Sequence, residues 1–302
     1  MKKYELTEET KVIGGKTLFR IRALRSFGDI KAGDLGGFIE NERNLSHGGN
    51  AWVGDNAKVG GNAKVSDNVR VGGYAWVEDN AQVGGDAWVG GNARVGGDAQ
   101  VGGDAQVGGY AWVSGYARVD GNAWVEDNAR VDGNAWVVGN AQVGGDAWVV
   151  GNAQVVGNAW VVGNAQVVGN AWVGGNAQVG GNARVNGNAW VGGYAWVSGY
   201  ARVDGNAQVG GNARVNGNAW VGGDGLINSN DDYLCERGLG SHNRSASFFK
   251  CKDGHIHVLC GCFDGNLDEF ENKVKEEHGN SKYAKEYLGF IEVVKTHFEV
   301  RQ

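Results

Sequence analysis

The chain has 302 residues, a formal net charge of −6, and an unusual make-up of 55 Gly, 12 Trp, one Met and no Pro. Glycine without proline points away from collagen and disorder and toward a repeat. The mild acidic excess gives no electrostatic reason to expect a nucleic-acid partner, and no stretch approaches the roughly 18 apolar residues of a membrane span, so no membrane insertion is expected.

In chain order, the opening MKKYELTEET has no apolar core behind its lysines. No classical signal peptide is expected, which leaves a cytoplasmic, virion-associated or extracellular location. Residues 11–13, Gly14-Gly15 and residues 16–23 read as a β-hairpin, with Phe19, Ile21 and Ala23 on one face and Arg20 and Arg22 on the other. Ile39 and Leu45, six residues apart, read as an irregular first coil. Residues 1–44 are therefore read as a cap with that first coil.

From Val53 to Val221 valine stands at every sixth position, 29 times in register without insertion or deletion. Two residues before each is Ala, except once where Val69 takes the place. Read as a strand, Ala-x-Val puts Ala and Val on one face and x on the other. The intervening Gly and Asn suit a corner, because both tolerate positive φ and Asn can bond nearby backbone. One such strand cannot bury its valine alone, so successive coils must stack. This Val-x-Gly-Asn-Ala-x phrase resembles the hexapeptide repeat of left-handed parallel β-helices. That resemblance implies a triangular solenoid of three hexapeptides, 18 residues per coil, for about ten coils over residues 45–228. At about 4.8 Å between strands the prism would be roughly 45–50 Å long.

The x positions 18 apart form three outward columns. The first reads Trp52, Arg70, Trp88, Gln106, Trp124, Gln142, Trp160, Gln178, Trp196 and Arg214. The second carries Trp76, Trp112, Trp148 and Trp220 among Lys, Arg and Gln, and the third carries Trp136, Trp172 and Trp190 less regularly. Two readings stand side by side. Arg and Gln can stack on the indoles and cover them, and tandem copying of a 12-residue unit alone produces the alternation. Alternatively, Trp52, Trp88, Trp124, Trp160 and Trp196, with Trp76, Trp112 and Trp148, form an interface or a ligand-stacking surface. Tyr74, Tyr110, Tyr116, Tyr194 and Tyr200 replace Asn at corners and could widen it.

Residues 229–302 have ordinary composition and read as a small ββαα domain. Residues 245–252, Asp253-Gly254 and residues 255–263 suggest a hairpin. Asn266 with Glu269 reads as a capping box, Gly279 as a helix end, and Ser281 as the start of a helix with Tyr283, Tyr287, Ile291, Val294 and Phe298 on one side. The stretch KAGDLGGFIENERNLSHGGNAWV resembles the opening of uncharacterised bacterial and phage hexapeptide-repeat proteins, some labelled acyltransferases, and GCFDGNLDEFENKVKEEHG resembles a C-terminal domain of phage and bacterial proteins of unknown role.

Such acyltransferases need a general base, and the related carbonic anhydrases three zinc-bound histidines. Between Gly48 and Ser241 there is no histidine, and His47 has no acidic partner visible in the sequence. The tail holds Cys235, Cys251, Cys260 and Cys262 with His255 and His257. Alternation sends His255 and His257 one way and Cys260 and Cys262 the other, and the spacing matches no standard metal site, so buried structural cysteines are the preferred reading. The expectation is a mainly β, non-enzymatic, self-associating structural solenoid, a filament subunit or a phage or cell-surface component, without a cofactor. The alternatives are a carbohydrate-binding module using the indoles and a divergent acyltransferase.

Overall fold

The computed structural model describes residues 2–299. It comprises two compact units, residues 1–163 and 164–302, and the division falls inside the repeat. In each unit a hexapeptide forms a short strand that pairs in parallel with the strand 18 residues on. In the first unit Trp88 lies opposite Gln106 and Val89 opposite Val107. In the second Gln178 lies opposite Trp196 and Val179 opposite Val197. Most strands contain only x and Val, as in Trp124–Val125. The Ala and Val side chains of the Ala-x-Val register are no more than 2 % exposed, while corner valines such as Val162 face solvent. The chain is thus a hexapeptide-repeat parallel β-solenoid with an interior of methyl groups.

The corners work differently from the sequence reading. Positive φ belongs to the second corner residue, such as Gly103 at +60°, or to Asp at Asp55, Asp67, Asp79 and Asp127. Each of these Asp carboxylates accepts a backbone N–H from the next coil, as Asp67 Oδ2 does from Gly85 at 2.9 Å. The Asn that follows spends its amide between coils instead of on local backbone. Asn50 Nδ2 donates to Asn68 Oδ1 at 3.1 Å, and Asn68 to Asp86 at 2.8 Å, where the carboxylate has no donor to pass on.

The bonds that flank each strand pair run one way. Trp88 N–H donates to Ala105 O and Gly90 N–H to Val107 O at 2.9 Å, and Asn92 N–H to Gly109 O at 2.7 Å, from the earlier coil to the later. Inside each pair the parallel ladder also returns bonds from the later coil to the earlier. A first coil therefore leaves mainly carbonyls unclaimed and a last coil mainly N–H groups. In the first unit side-chain donors meet that need. Lys3 Nζ donates to Ala51 O at 2.8 Å, Tyr4 Oη to Leu45 O at 2.8 Å, and Asn44 Nδ2 to Ala63 O at 2.9 Å. Burial, then Arg25 and Arg70, lower the Lys3 pKa to about 8, so near neutral pH it keeps the proton it donates. The hairpin Tyr4–Ile13 and Lys16–Ala23 adds antiparallel strands beyond Leu35–Ile39, which pairs in parallel with the repeat strand Lys58–Val59. Its outer strand is bulged between Leu6 and Thr10 and carries Glu8, Glu9 and Lys11, features that discourage further strand addition. The expected alternation breaks at Phe19, which is half-buried while its neighbour Leu18 is buried.

In the second unit acceptors do the matching work. Trp220 N–H donates to Ser247 Oγ and Arg214 N–H to Asn230 Oδ1, both at 2.8 Å. Among the described residues the buried polar side chains are Lys3, Asn44 and Ser247, and each serves an end coil. The tail sheet has four antiparallel strands, Tyr233–Leu239, Arg244–Lys250, Ile256–Cys260 and Phe263–Asn266, where the sequence reading had two. Tyr233–Leu239 lacks an alternating pattern because Glu236, Arg237 and Gly238 interrupt it, and Phe263–Asn266 runs straight into α1 (Leu267–His278). Asn266 and Glu269 form the expected capping box and Gly279 the C-cap. From α2 (Lys282–Glu299), Ala284, Tyr287, Ile291, Val294 and Phe298 pack with Phe248, Val258 and Cys260 of the sheet, while Tyr283 stays partly exposed.

A Cβ on Gly103 would lie 2.7 Å from Gly121 N and 2.8 Å from Gly121 O, whereas one on Gly217 (φ +64°) would meet nothing within 4 Å. Both substitutions by Ala carry the left-handed penalty of about 1–2 kcal/mol. Thermal unfolding of Gly103→Ala should therefore show a clearly larger loss than Gly217→Ala. Equal losses would contradict the close stacking of coils at this corner.

Candidate functional site

In the first unit the first column runs Trp52, Arg70, Trp88, Gln106, Trp124, Gln142, Trp160, with each neighbour directly paired. Trp88, Trp124 and Trp160 are 41–44 % exposed and lie two rungs apart, about 10 Å. From Trp88 to Trp160 this column carries no charge. Trp52 departs from the expectation. It is 4 % exposed because Phe27 from the cap packs edge-on against it at 5.5 Å, so it belongs to the end closure and offers no surface.

The second column is cationic. Arg130 lies over the rings of Trp112 at 5.3 Å and Trp148 at 5.9 Å, and Lys58 and Arg94 flank Trp76 at 5.8 and 6.0 Å. Each such contact is worth about 0.5–1 kcal/mol where exposed. Trp112 and Trp148 remain exposed, while Trp76 is half-buried. Tyr74, Trp76, Arg94, Tyr110 and Trp112 line one open groove on this face.

In the second unit Trp196 is also exposed, with Arg214 at 5.7 Å from its ring. Trp172 and Trp190 sit on adjacent rungs and stack face to face, 5.1 Å apart at 3°, and both are less exposed. Adjacent indoles cover one another; alternate rungs keep them presented to solvent.

His47 has partners that the sequence reading missed. Its Nδ1 accepts the Lys3 backbone N–H at 3.2 Å, its ring stacks on Tyr4 at 4.4 Å, and its Nε2 lies 3.8 Å from Glu42. These contacts join the N-terminal strand to the first coil, which makes His47 part of the cap. In the tail, Cys251, His255 and His257 come together. Cys260 joins the core beneath the helices and Cys262 is exposed. The missed signal is the hairpin turn: Asp253-Gly254 sets Cys251 opposite His255, onto the histidine face.

A family model described as a YdcK beta solenoid repeat matches residues 177–193 and 207–223. No curated protein matches the chain. Solved structures with similar coils include the UDP-N-acetylglucosamine O-acyltransferase (LpxA) of Moraxella catarrhalis RH4, at 17 % identity and TM-score 0.34, covering 53 % of this chain and 67 % of that one. The Arabidopsis UDP-N-acetylglucosamine acyltransferase is similar at 14 % identity and TM-score 0.42, covering 60 % of this chain and 70 % of that one. Likenesses this low carry no inference about activity. Among the described residues no helix is long and apolar enough to cross a membrane.

Burial lowers the His47 pKa, against the opposing pull of Glu42. A group with a depressed folded pKa binds fewer protons than in the unfolded chain, so stability from this cap falls as pH drops through the ordinary imidazole range. An NMR titration of His47 should give a midpoint below that range. A midpoint above it would show a solvated, ion-paired ring and contradict the buried cap.

Proposed function

We propose that the protein is a non-catalytic structural solenoid that associates side by side through its first outward column. The observation that carries this reading is the uncharged Trp88–Gln106–Trp124–Gln142–Trp160 ladder, whose indoles stand half-exposed at even intervals. The column itself brings no charge to the contact, the exposed Asp86, Asp104, Asp127 and Asp146 standing at the flanking corners, and indoles supply the large contact area that interfaces favour. The capped end coils favour this sideways route over growth by strand addition.

A second reading rests on the second column. Cations alternating with Trp76, Trp112 and Trp148, beside Tyr74 and Tyr110, suit an acidic polysaccharide whose sugar faces stack on the rings. The two-rung interval approximates one disaccharide of an extended glycan.

Sedimentation velocity over a concentration series separates the two. Wild type should associate as concentration rises, and a variant with Trp88, Trp124 and Trp160 all changed to Ser should stay monomeric. Equal behaviour of the two would overturn the lateral reading. If the groove binds polygalacturonate, titration should quench tryptophan fluorescence in wild type and at least tenfold more weakly in Trp112→Ser.

A further inference from the structure

We propose that Cys251, His255 and His257 form a binding site for a divalent transition-metal ion of the zinc type. The hairpin sets it up. Phe249 pairs with His257 and Lys250 with Ile256, and beyond them Cys251 N–H donates to His255 O at 2.9 Å. Gly254 at φ +88° turns the chain, and its N–H donates to Cys251 O at 2.9 Å. The two-residue period of a strand then places Phe249, Cys251, His255 and His257 on one face.

The outer nitrogen of each imidazole is already engaged. His255 Nδ1 lies 2.5 Å from Asp253 Oδ1, and His257 Nε2 lies 2.7 Å from Asp264 Oδ1. A carboxylate only accepts, so each outer nitrogen carries the ring hydrogen. Neutral rings then turn bare lone pairs toward each other, with His255 Nε2 and His257 Nδ1 3.3 Å apart. Two lone pairs at that distance call for a shared cation. Carboxylates on the far nitrogens are also how metal sites fix the tautomer and aim of their histidines.

The spacing fits zinc quantitatively. Two Zn–N bonds of about 2.05 Å at the tetrahedral angle put the nitrogens about 3.3 Å apart. The Cys251 sulfur lies within 4.8 Å of a ring nitrogen of each histidine. A Zn–S bond of about 2.3 Å asks for roughly 3.5 Å, a shift on the order of 1 Å. On binding, the Sγ–metal bond forms and the thiol proton leaves to solvent. Thiolate with two imidazoles selects the zinc class over calcium or magnesium. Three protein ligands leave a fourth position for solvent. Cys251 also bridges to Gly225 in the last coil, and Lys252 N–H donates to Asp224 O at 3.2 Å. The ion would therefore staple the hairpin where it meets that coil.

Cobalt(II) titration of the full-length chain tests this. One equivalent should produce a sulfur-to-cobalt charge-transfer band in the near ultraviolet with tetrahedral ligand-field bands, and zinc should displace them. Cys251→Ser should lose the charge-transfer band, and Cys262→Ser should keep it. Asp264→Asn should keep the band but bind about 10–100-fold more weakly in a chelator competition. Absence of stoichiometric binding, or a charge-transfer band that survives in Cys251→Ser, would overturn the proposal and leave a shared proton between the rings. Unchanged affinity in Asp264→Asn would remove the assigned role of the carboxylates.

Discussion

Most hydrogen bonds between repeat coils, those that flank the strand pairs, share one direction, from N–H of the earlier coil to carbonyl of the later. That polarity makes the two ends of such a ladder chemically different, as the two ends of an α-helix are. Carbonyls need donors at the start and N–H groups need acceptors at the finish. Lys3, Tyr4 and Asn44 supply the first, and Ser247 and Asn230 supply the second. An unpaired backbone group shut away from water costs about 1–3 kcal/mol, so these few residues keep the end coils closed. The caps are thus part of the same hydrogen-bonding logic as the repeat.

How much was legible in the sequence follows from the range of each interaction. Valine at every sixth position implied a methyl core and outward columns, because alternation along a strand is local. The glycine corners were readable for the same reason, although the assignment of positive φ to Gly or Asp, and of Asn to bonds between coils, needed the stacked neighbour. The caps were readable as a hairpin and a small terminal domain, but their bonds to the coils were not. Lys3 meets Ala51, 48 residues away, and Trp220 meets Ser247, 27 away. Trp52 looked like its column mates because column logic treats every rung alike, yet the end rung lies under Phe27. The cysteine–histidine cluster was half legible: alternation gave the face of His255 and His257, and the turn geometry that adds Cys251 lies beyond strand counting.

With a methyl interior and closed ends, what remains to act on other molecules is the outward columns. Their chemistry differs by face. The first is aromatic and uncharged from Trp88 to Gln178, the second cationic and aromatic, and where alternation fails at Trp172 and Trp190 the rings satisfy each other. Tandem copying of a 12-residue unit is enough to produce the alternation. Its physical result is a set of indoles held apart by one rung, too far to cover one another. This surface is the basis of the proposed side-by-side association, while the tail cluster is a local chemical feature independent of it.

The most direct measurement is hydroxyl-radical footprinting of individual tryptophans, read by mass spectrometry at low and high protein concentration. The account predicts that Trp88, Trp124 and Trp160 oxidise readily when dilute while Trp52 stays protected, and that these three become protected together as concentration rises. Oxidation of Trp52 as fast as the others, or protection of the three that never changes with concentration, would contradict it.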